Sequence, residues 1–236
     1  VKKQLLNSLL FHQRTAHQTP GENDIFIQIN PDVKIGVRLH LISKGLPTII
    51  FFHGNGEIVT DYDDVGKEYN HREINFIIVD YRGYGFSNGK PTLSNILSDS
   101  KNIFNYLMEE LDKDYLDKVF IMGRSLGSTC ALEIASHYSN KINGLIIESG
   151  FLNEDPLFNL IGINPKQADF KKGDGFLNEQ KIINYFGPLL IIHATQDHII
   201  PFNHGELLFN CCPSTNKKLV PIYGANHNNI LEFNFN

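Results

Sequence analysis

The sequence has few cysteines and no long hydrophobic run, and these absences exclude several protein classes. Its three cysteines are Cys130, Cys211 and Cys212, an odd number with two adjacent residues that fits neither a disulfide framework nor a C-x-x-C metal motif. This usage favours a reducing compartment, and we expect a cytoplasmic protein. No run of about 18 apolar residues is present, so no transmembrane segment is expected in this sequence.

The sequence also contains no block of five or more like charges, and no secretory leader is expected in it. The formal net charge is −5, which predicts no nucleic-acid partner, since such partners call for a basic patch. The opening sequence VKKQLLNSLLFHQRTAH has no small-residue cleavage site, so we do not interpret it as a signal peptide. An anchor upstream of Val1 stays an open alternative. With 236 residues, 42% of them hydrophobic, the chain suits one domain over residues 1–236.

Apolar segments recur along the chain and predict a sheet of about eight strands. The first two alternate apolar and polar residues, as half-exposed antiparallel strands do, whereas the later six are continuously apolar, as in buried parallel strands. The predicted strands cover residues 25–29, 34–42, 48–55, 74–82, 118–123, 144–150, 188–197 and 217–224. Helical patterns over 92–116, 128–139 and 204–212 separate the later strands. The sequence therefore predicts an α/β fold with a mostly parallel sheet and an antiparallel hairpin at one edge.

Polar residues follow the predicted strands at their carboxyl ends, where open α/β sheets bind ligands. Three of them form the chain order Ser125, Asp197, His227, which is the order of the α/β-hydrolase triad. The pentapeptide GRSLG around Ser125 by itself fits a plain strand-to-helix turn equally well. Glu148 is a rival to Asp197 for the acid, because it ends the strand after the serine.

Five motifs in register carry a family resemblance: FFHGNGE, VDYRGYGFSNGKPT, GRSLGS, ATQDHIIP and GANHNN. Over residues 25–236 the sequence resembles the serine hydrolases of the α/β-hydrolase superfamily. It is most similar to the branch with Bem46-like and abhydrolase-17-like lipid and thioester hydrolases. The resemblance implies an α/β-hydrolase fold that works without a metal or cofactor. The long interval 152–187 is predicted to form a short lid insertion within the domain.

The chemistry of the predicted triad gives each residue a role. Ser125 is the expected nucleophile, His227 the base that takes its proton, and Asp197 the acid that fixes the imidazole. The backbone N–H groups of Asn55 and Leu126 are predicted to form the oxyanion hole.

Four further residues are predicted to contact substrate, each with a structural alternative. Glu57 alternatively opens a helix and complements its dipole, and Arg124 alternatively braces the serine turn. Phe151 alternatively packs the lid, and His198 alternatively caps a loop.

The sequence thus predicts a serine hydrolase that cleaves a small-molecule carboxylic ester or thioester through an acyl-serine intermediate. One alternative is a non-catalytic protein that binds a ligand or partner on the same scaffold. A second alternative is peptidase, acyltransferase or haloperoxidase-like chemistry on the same triad. The sequence leaves the acyl group, the leaving group and the oligomeric state open.

Overall fold

A computed structural model describes residues 7–164, 170–171 and 173–233. This part of the chain forms one eight-stranded sheet with the spatial order β1-β2-β4-β3-β5-β6-β7-β8. Strands β1, β2 and β4 pair antiparallel, and every pairing from β4 to β8 is parallel. The strands are β1 (Asp24–Asn30), β2 (Val33–His40), β3 (Thr48–Phe52), β4 (Asn75–Val79), β5 (Val119–Arg124), β6 (Gly144–Glu148), β7 (Leu189–Ala194) and β8 (Lys217–Ile222).

Helices cover both faces of this sheet. They are α1 (Asp63–His71), α2 (Leu93–Glu110), α3 (Gly127–Tyr138), α4 (Asp155–Leu160), α5 (Asn178–Ile182) and α6 (Asn203–Cys211), with short 3₁₀ turns at Val59–Tyr62, Lys113–Tyr115 and Ile230–Glu232. Helices α2, α3 and α6 pack on one face through the larger core, and α1 packs on the other. Across the ranges given above, no helix combines the length and the apolar composition needed to cross a bilayer.

The central strands are buried on both faces, which explains their continuous apolar sequences. Every residue of β3 and of β4 is buried. Within β3, Ile50 and Phe52 belong to the larger core, and Ile49 and Phe51 belong to a smaller cluster beneath α1. The alternation follows from the two-residue period of a strand. The predicted α/β-hydrolase sheet is therefore confirmed.

Six of the eight observed strands end before the predicted segments do, whereas β1 and β5 each end one residue later than predicted. The segment predicted over 48–55 ends at Phe52, because Gly54 donates its N–H to Glu57 instead of continuing the ladder. The helix predicted over 92–116 ends at Glu110, and Leu111 is extended. These differences place the polar residues after each strand in loops at the sheet edge.

The interval predicted as a lid, 152–187, contains α4 and α5. In α4, Leu157 and Phe158 are buried, whereas Leu160 is 51% exposed. Helix α5 packs on α3, where Lys181 Nζ lies 2.7 Å from Glu133 Oε2. Residues 165–169 and 172 lie outside the described residues, and the lid stays a prediction.

Candidate active site

Ser125 occupies the sharp turn between β5 and α3. Its φ of 51° lies in the left-handed region, which side-chain-bearing residues rarely adopt. The turn is held by the Ser125 N–H, which donates to the Glu148 carbonyl at 2.9 Å. The Ser125 carbonyl in turn accepts from the Ser128 N–H at 3.0 Å and the Ser128 hydroxyl at 2.6 Å. Backbone strain held by its surroundings in this way is concentrated at functional sites.

The glycines on either side of the serine turn allow β3, β5 and α3 to approach closely. A Cβ on Gly123 would lie 2.3 Å from the Gly127 carbonyl oxygen. A Cβ on Gly127 would lie 2.0 Å from the carbonyl oxygen of Phe52 and 2.8 Å from that of His53. The glycines of the pentapeptide are therefore required by packing between backbones, whatever chemistry the serine performs.

Gly127→Ala is expected to destabilise the fold strongly, because its methyl group must push α3 away from β3. We expect a loss of at least about 3 kcal/mol in the free energy of unfolding, at the upper end of overpacking effects, measured by urea denaturation. Gly21→Ala is the matched control, because its nearest neighbouring atom lies at 3.9 Å. Equal stability of the two variants would contradict the close approach of α3 to β3.

His227 and Asp197 meet at the same edge of the sheet, in the loops after β8 and β7. His227 Nδ1 lies 2.7 Å from Asp197 Oδ2, and both residues are buried. The other carboxylate oxygen of Asp197 accepts the N–H groups of Ile199 at 3.0 Å and Ile200 at 2.8 Å. Burial acts to raise the pKa of Asp197, but the hydrogen bond and charge of His227 and these two N–H groups hold it below its usual range. The arrangement therefore keeps an ionised carboxylate against the imidazole.

Glu148, the rival acid, is engaged elsewhere. Its Oε1 lies 2.9 Å from Nη1 of Arg124, which is its register partner on β5. Burial raises the pKa of Glu148, although the nearby Arg124 charge opposes this effect. Because Nδ1 of His227 is already bonded to Asp197, the geometry favours Asp197 as the partner of the imidazole.

The two backbone N–H groups predicted to form the oxyanion hole belong to Leu126, at the start of α3, and to Asn55, in the loop after β3. In the part of the chain given above, the backbone N–H groups of Asn55 and Leu126 donate no hydrogen bond. Leu126 caps the N-terminus of α3, whose dipole favours negative charge at that position.

An N-terminal strap, residues 10–16, fixes the loop that carries Asn55. The Asn55 amide donates to the Leu10 carbonyl at 2.6 Å, and its oxygen accepts from the His12 N–H at 2.9 Å and the Tyr84 hydroxyl at 2.7 Å. Sequence reasoning missed these contacts, because nothing in residues 10–16 repeats a period or motif.

The turn over residues 80–87 lies beside the Asn55 loop, since the Tyr84 hydroxyl donates to the Asn55 side chain. Asp80 accepts the N–H groups of Val59 at 3.0 Å and Phe86 at 3.1 Å, one on each carboxylate oxygen. The ring of His53 lies 2.8 Å from the Gly54 carbonyl oxygen, as expected for a structural histidine. Asp80 and His53 therefore support the loops around the site.

Comparison with known proteins identifies the family of this chain. A family model described as serine aminopeptidase, S33 (Hydrolase_4) matches residues 44–171, which is more than half of the chain. The chain belongs to this family of α/β-hydrolases.

Curated relatives and solved structures support the same assignment. Human alpha/beta hydrolase domain-containing protein 17B is 32% identical over 192 residues, covering 78% of this chain and 61% of the relative. Protein 17C of Xenopus tropicalis is 30% identical over 190 residues, with 78% and 56% covered. The chain thus spans under two thirds of the length of both relatives. The fold is shared with the Pyrococcus furiosus esterase Pf2001, with a TM-score of 0.74, 17% identity, and 94% and 92% of the two chains covered.

The residues predicted to contact substrate occupy different surroundings in this α/β-hydrolase. Phe151 is fully buried, with its ring 6.0 Å from that of Phe176, and His198 is exposed. A 3₁₀ turn begins at Val59, two residues after Glu57, and α1 follows it at Asp63. The Glu57 carboxylate is paired with Arg124, whose side chain is 9% exposed.

Proposed function

We propose that this protein is a serine hydrolase that cleaves carboxylic esters or thioesters through an acyl-serine intermediate on Ser125. One observation carries the proposal. A serine in strained left-handed backbone at the head of a helix shares the sheet edge with a buried His227–Asp197 pair whose polar atoms are 2.7 Å apart. A plain turn serine requires neither the strain nor a buried acid–imidazole pair near it.

In the proposed mechanism, the Ser125 hydroxyl attacks the acyl carbon while His227 takes its proton. The tetrahedral oxyanion then accepts hydrogen bonds from the N–H groups of Leu126 and Asn55, which have no other acceptor in the described chain. His227 passes the proton to the leaving alcohol or thiol, and the acyl-serine forms. Water, activated by the same imidazole, releases the acid and regenerates the serine.

Asp197 holds the imidazole in the tautomer that presents its other nitrogen to the serine, and it stabilises the imidazolium as it forms. The two N–H donors from Ile199 and Ile200 keep the carboxylate ionised and oriented. Glu148 is not assigned this role, because its carboxylate is paired with Arg124.

We propose that the substrate is an ester or thioester with an apolar acyl group. We propose that the chain is one domain over residues 1–236, with 152–187 as a lid insertion. Four apolar residues at or just before its start, namely Phe151, Leu152, Leu157 and Phe158, are buried in the larger core, and an apolar segment directly after β6 favours an apolar acyl group. The esterase named among the structural neighbours agrees with this substrate class. The family description also names an aminopeptidase, and the same triad chemistry acts on amides.

A fluorophosphonate probe followed by peptide mapping tests the proposal directly. We expect one covalent adduct, located on Ser125. A p-nitrophenyl ester should slow the formation of this adduct, because the ester competes for the same serine. A panel of p-nitrophenyl esters of rising chain length, acyl-CoA thioesters and aminoacyl p-nitroanilides then ranks the substrate classes. A folded protein that forms no adduct at Ser125 would overturn the proposal in favour of a non-catalytic binding protein. Preference for the anilides would overturn the substrate class alone.

A further inference from the structure

Arg124 directly precedes the proposed nucleophile, and its guanidinium connects three separate segments of the site. Nε donates to Glu57 Oε1 at 2.9 Å, and Nη1 donates to Glu148 Oε1 at 2.9 Å. Nη2 donates to the backbone carbonyl of His227 at 2.8 Å. All three nitrogens are therefore occupied by groups of the chain itself.

The Glu57 end of this network reaches the proposed oxyanion loop. Glu57 Oε2 accepts the N–H of Gly54 at 2.6 Å and the hydroxyl of Tyr62 at 2.6 Å. Gly54 directly precedes Asn55, so the path from the guanidinium to the loop passes through one carboxylate. Arg124, Glu57 and Glu148 together are named the arginine clamp.

Within the clamp, Arg124 and Glu57 stabilise each other's charges. Burial acts to raise the pKa of Glu57, but the Arg124 charge and the hydrogen bonds from Tyr62 and Gly54 hold it below its ordinary value. Burial likewise opposes the charge on Arg124, but Glu148 and Glu57 raise the pKa of the guanidinium. A buried cation with two carboxylates is costly to disrupt, since removal of one partner leaves an uncompensated charge.

We propose that Arg124 is a positioning residue, which holds the His227 loop and the Asn55 loop in catalytic register with Ser125. The inference rests on the proposed function and assigns Arg124 and Glu57 a role other than substrate contact. The side chain is buried, and one donor of each guanidinium nitrogen already binds an acceptor of the chain itself, which favours a structural role over substrate contact. Positioning has large leverage on rate, because a displacement of about 1 Å in a catalytic group costs on the order of 100-fold.

The test compares Arg124→Gln and Arg124→Lys with the wild type. For Arg124→Gln we expect kcat for a p-nitrophenyl ester to fall about 100-fold, with KM nearly unchanged. Lysine keeps the charge but lacks the planar guanidinium that reaches three separate acceptors, so Arg124→Lys should recover only part of kcat.

Arg38→Gln is the matched control for loss of a buried arginine. Arg38 is as buried as Arg124, and it also binds two carboxylates, those of Asp24 and Asp63. It lies on β2, beside the edge strand β1, and within the described residues its side chain makes no hydrogen bond to the His227 or Asn55 loops. We expect Arg38→Gln to lower the thermal midpoint while leaving kcat and KM of the folded protein unchanged.

A second variant keeps the inference testable if Arg124→Gln does not fold. Glu57→Gln preserves shape and weakens the contacts of this carboxylate with Arg124, Gly54 and Tyr62, and we expect kcat to fall about 10-fold. Where both single variants fold, kcat of the double variant should be no lower than that of Arg124→Gln alone. The reason is that both substitutions interrupt the same connection to the Asn55 loop. Wild-type kcat in folded Arg124→Gln, or in Glu57→Gln, would overturn the clamp. Absence of the Ser125 adduct in the wild type would instead overturn the proposed function.

Discussion

Ser125→Ala is expected to lower kcat for ester hydrolysis by on the order of 10⁶-fold, the scale on which removal of a triad nucleophile acts. The methyl group cannot form an acyl intermediate, whereas the surrounding backbone keeps its hydrogen bonds to Glu148 and Ser128. The free energy of unfolding should change little, or rise slightly, because alanine removes a hydroxyl but not the left-handed turn. The measurement is steady-state turnover of a p-nitrophenyl ester, with circular dichroism to verify the fold.

A second serine makes this prediction discriminating. Ser149 also adopts left-handed backbone, with φ of 46°, and it directly follows β6 next to the serine turn. It is fully buried, and its hydroxyl has no partner within the residues that the structure describes. We expect Ser149→Ala to keep the covalent adduct and most of the turnover. Loss of the adduct in Ser149→Ala, with retention in Ser125→Ala, would instead assign the role of nucleophile to Ser149.

The sheet was predictable because its strands are buried on both faces. A strand such as β3, TIIFF, leaves a continuous apolar run that few other elements share. Once these strands are parallel, their carboxyl ends meet at one edge, so Ser125, Asp197 and His227 could be brought together without coordinates. The structure adds the distance between Asp197 and His227, which separates Asp197 from its rival.

The rest of the fold depended on contacts that a local pattern does not encode. Helix α1 reads DDVGKEYNH, and only Val65 and Tyr69 mark its apolar side. The N-terminal strap reaches Asn55 across more than 40 positions, and Arg124 reaches the His227 carbonyl across 103. Such polar contacts are set by tertiary packing, so the sequence offered alternatives for Glu57 and Arg124 but could not choose between them.

The assignment of the acid gives the second large effect. Asp197→Asn is expected to lower kcat by about 10⁴-fold, because an amide that donates to the imidazole selects the wrong tautomer. Glu148→Gln keeps an oxygen acceptor for Arg124, so we expect a fall of only about 10-fold, comparable with the clamp variant Glu57→Gln. The measurement is kcat for the same ester in both variants, with the thermal midpoint as a control for folding.

Stability as a function of pH gives an independent check on Asp197. Its pKa is lowered in the folded protein, so its ionised form contributes stability above the unfolded value of about 4, and this is lost as pH falls through the folded value. The difference in thermal midpoint between the wild type and Asp197→Asn should therefore be largest at neutral pH and narrow below about pH 4. A large kcat defect in Glu148→Gln, together with a near-normal kcat in Asp197→Asn, would assign the role of the acid to Glu148 instead. It would also require the 2.7 Å contact between Asp197 and His227 to be a structural hydrogen bond only.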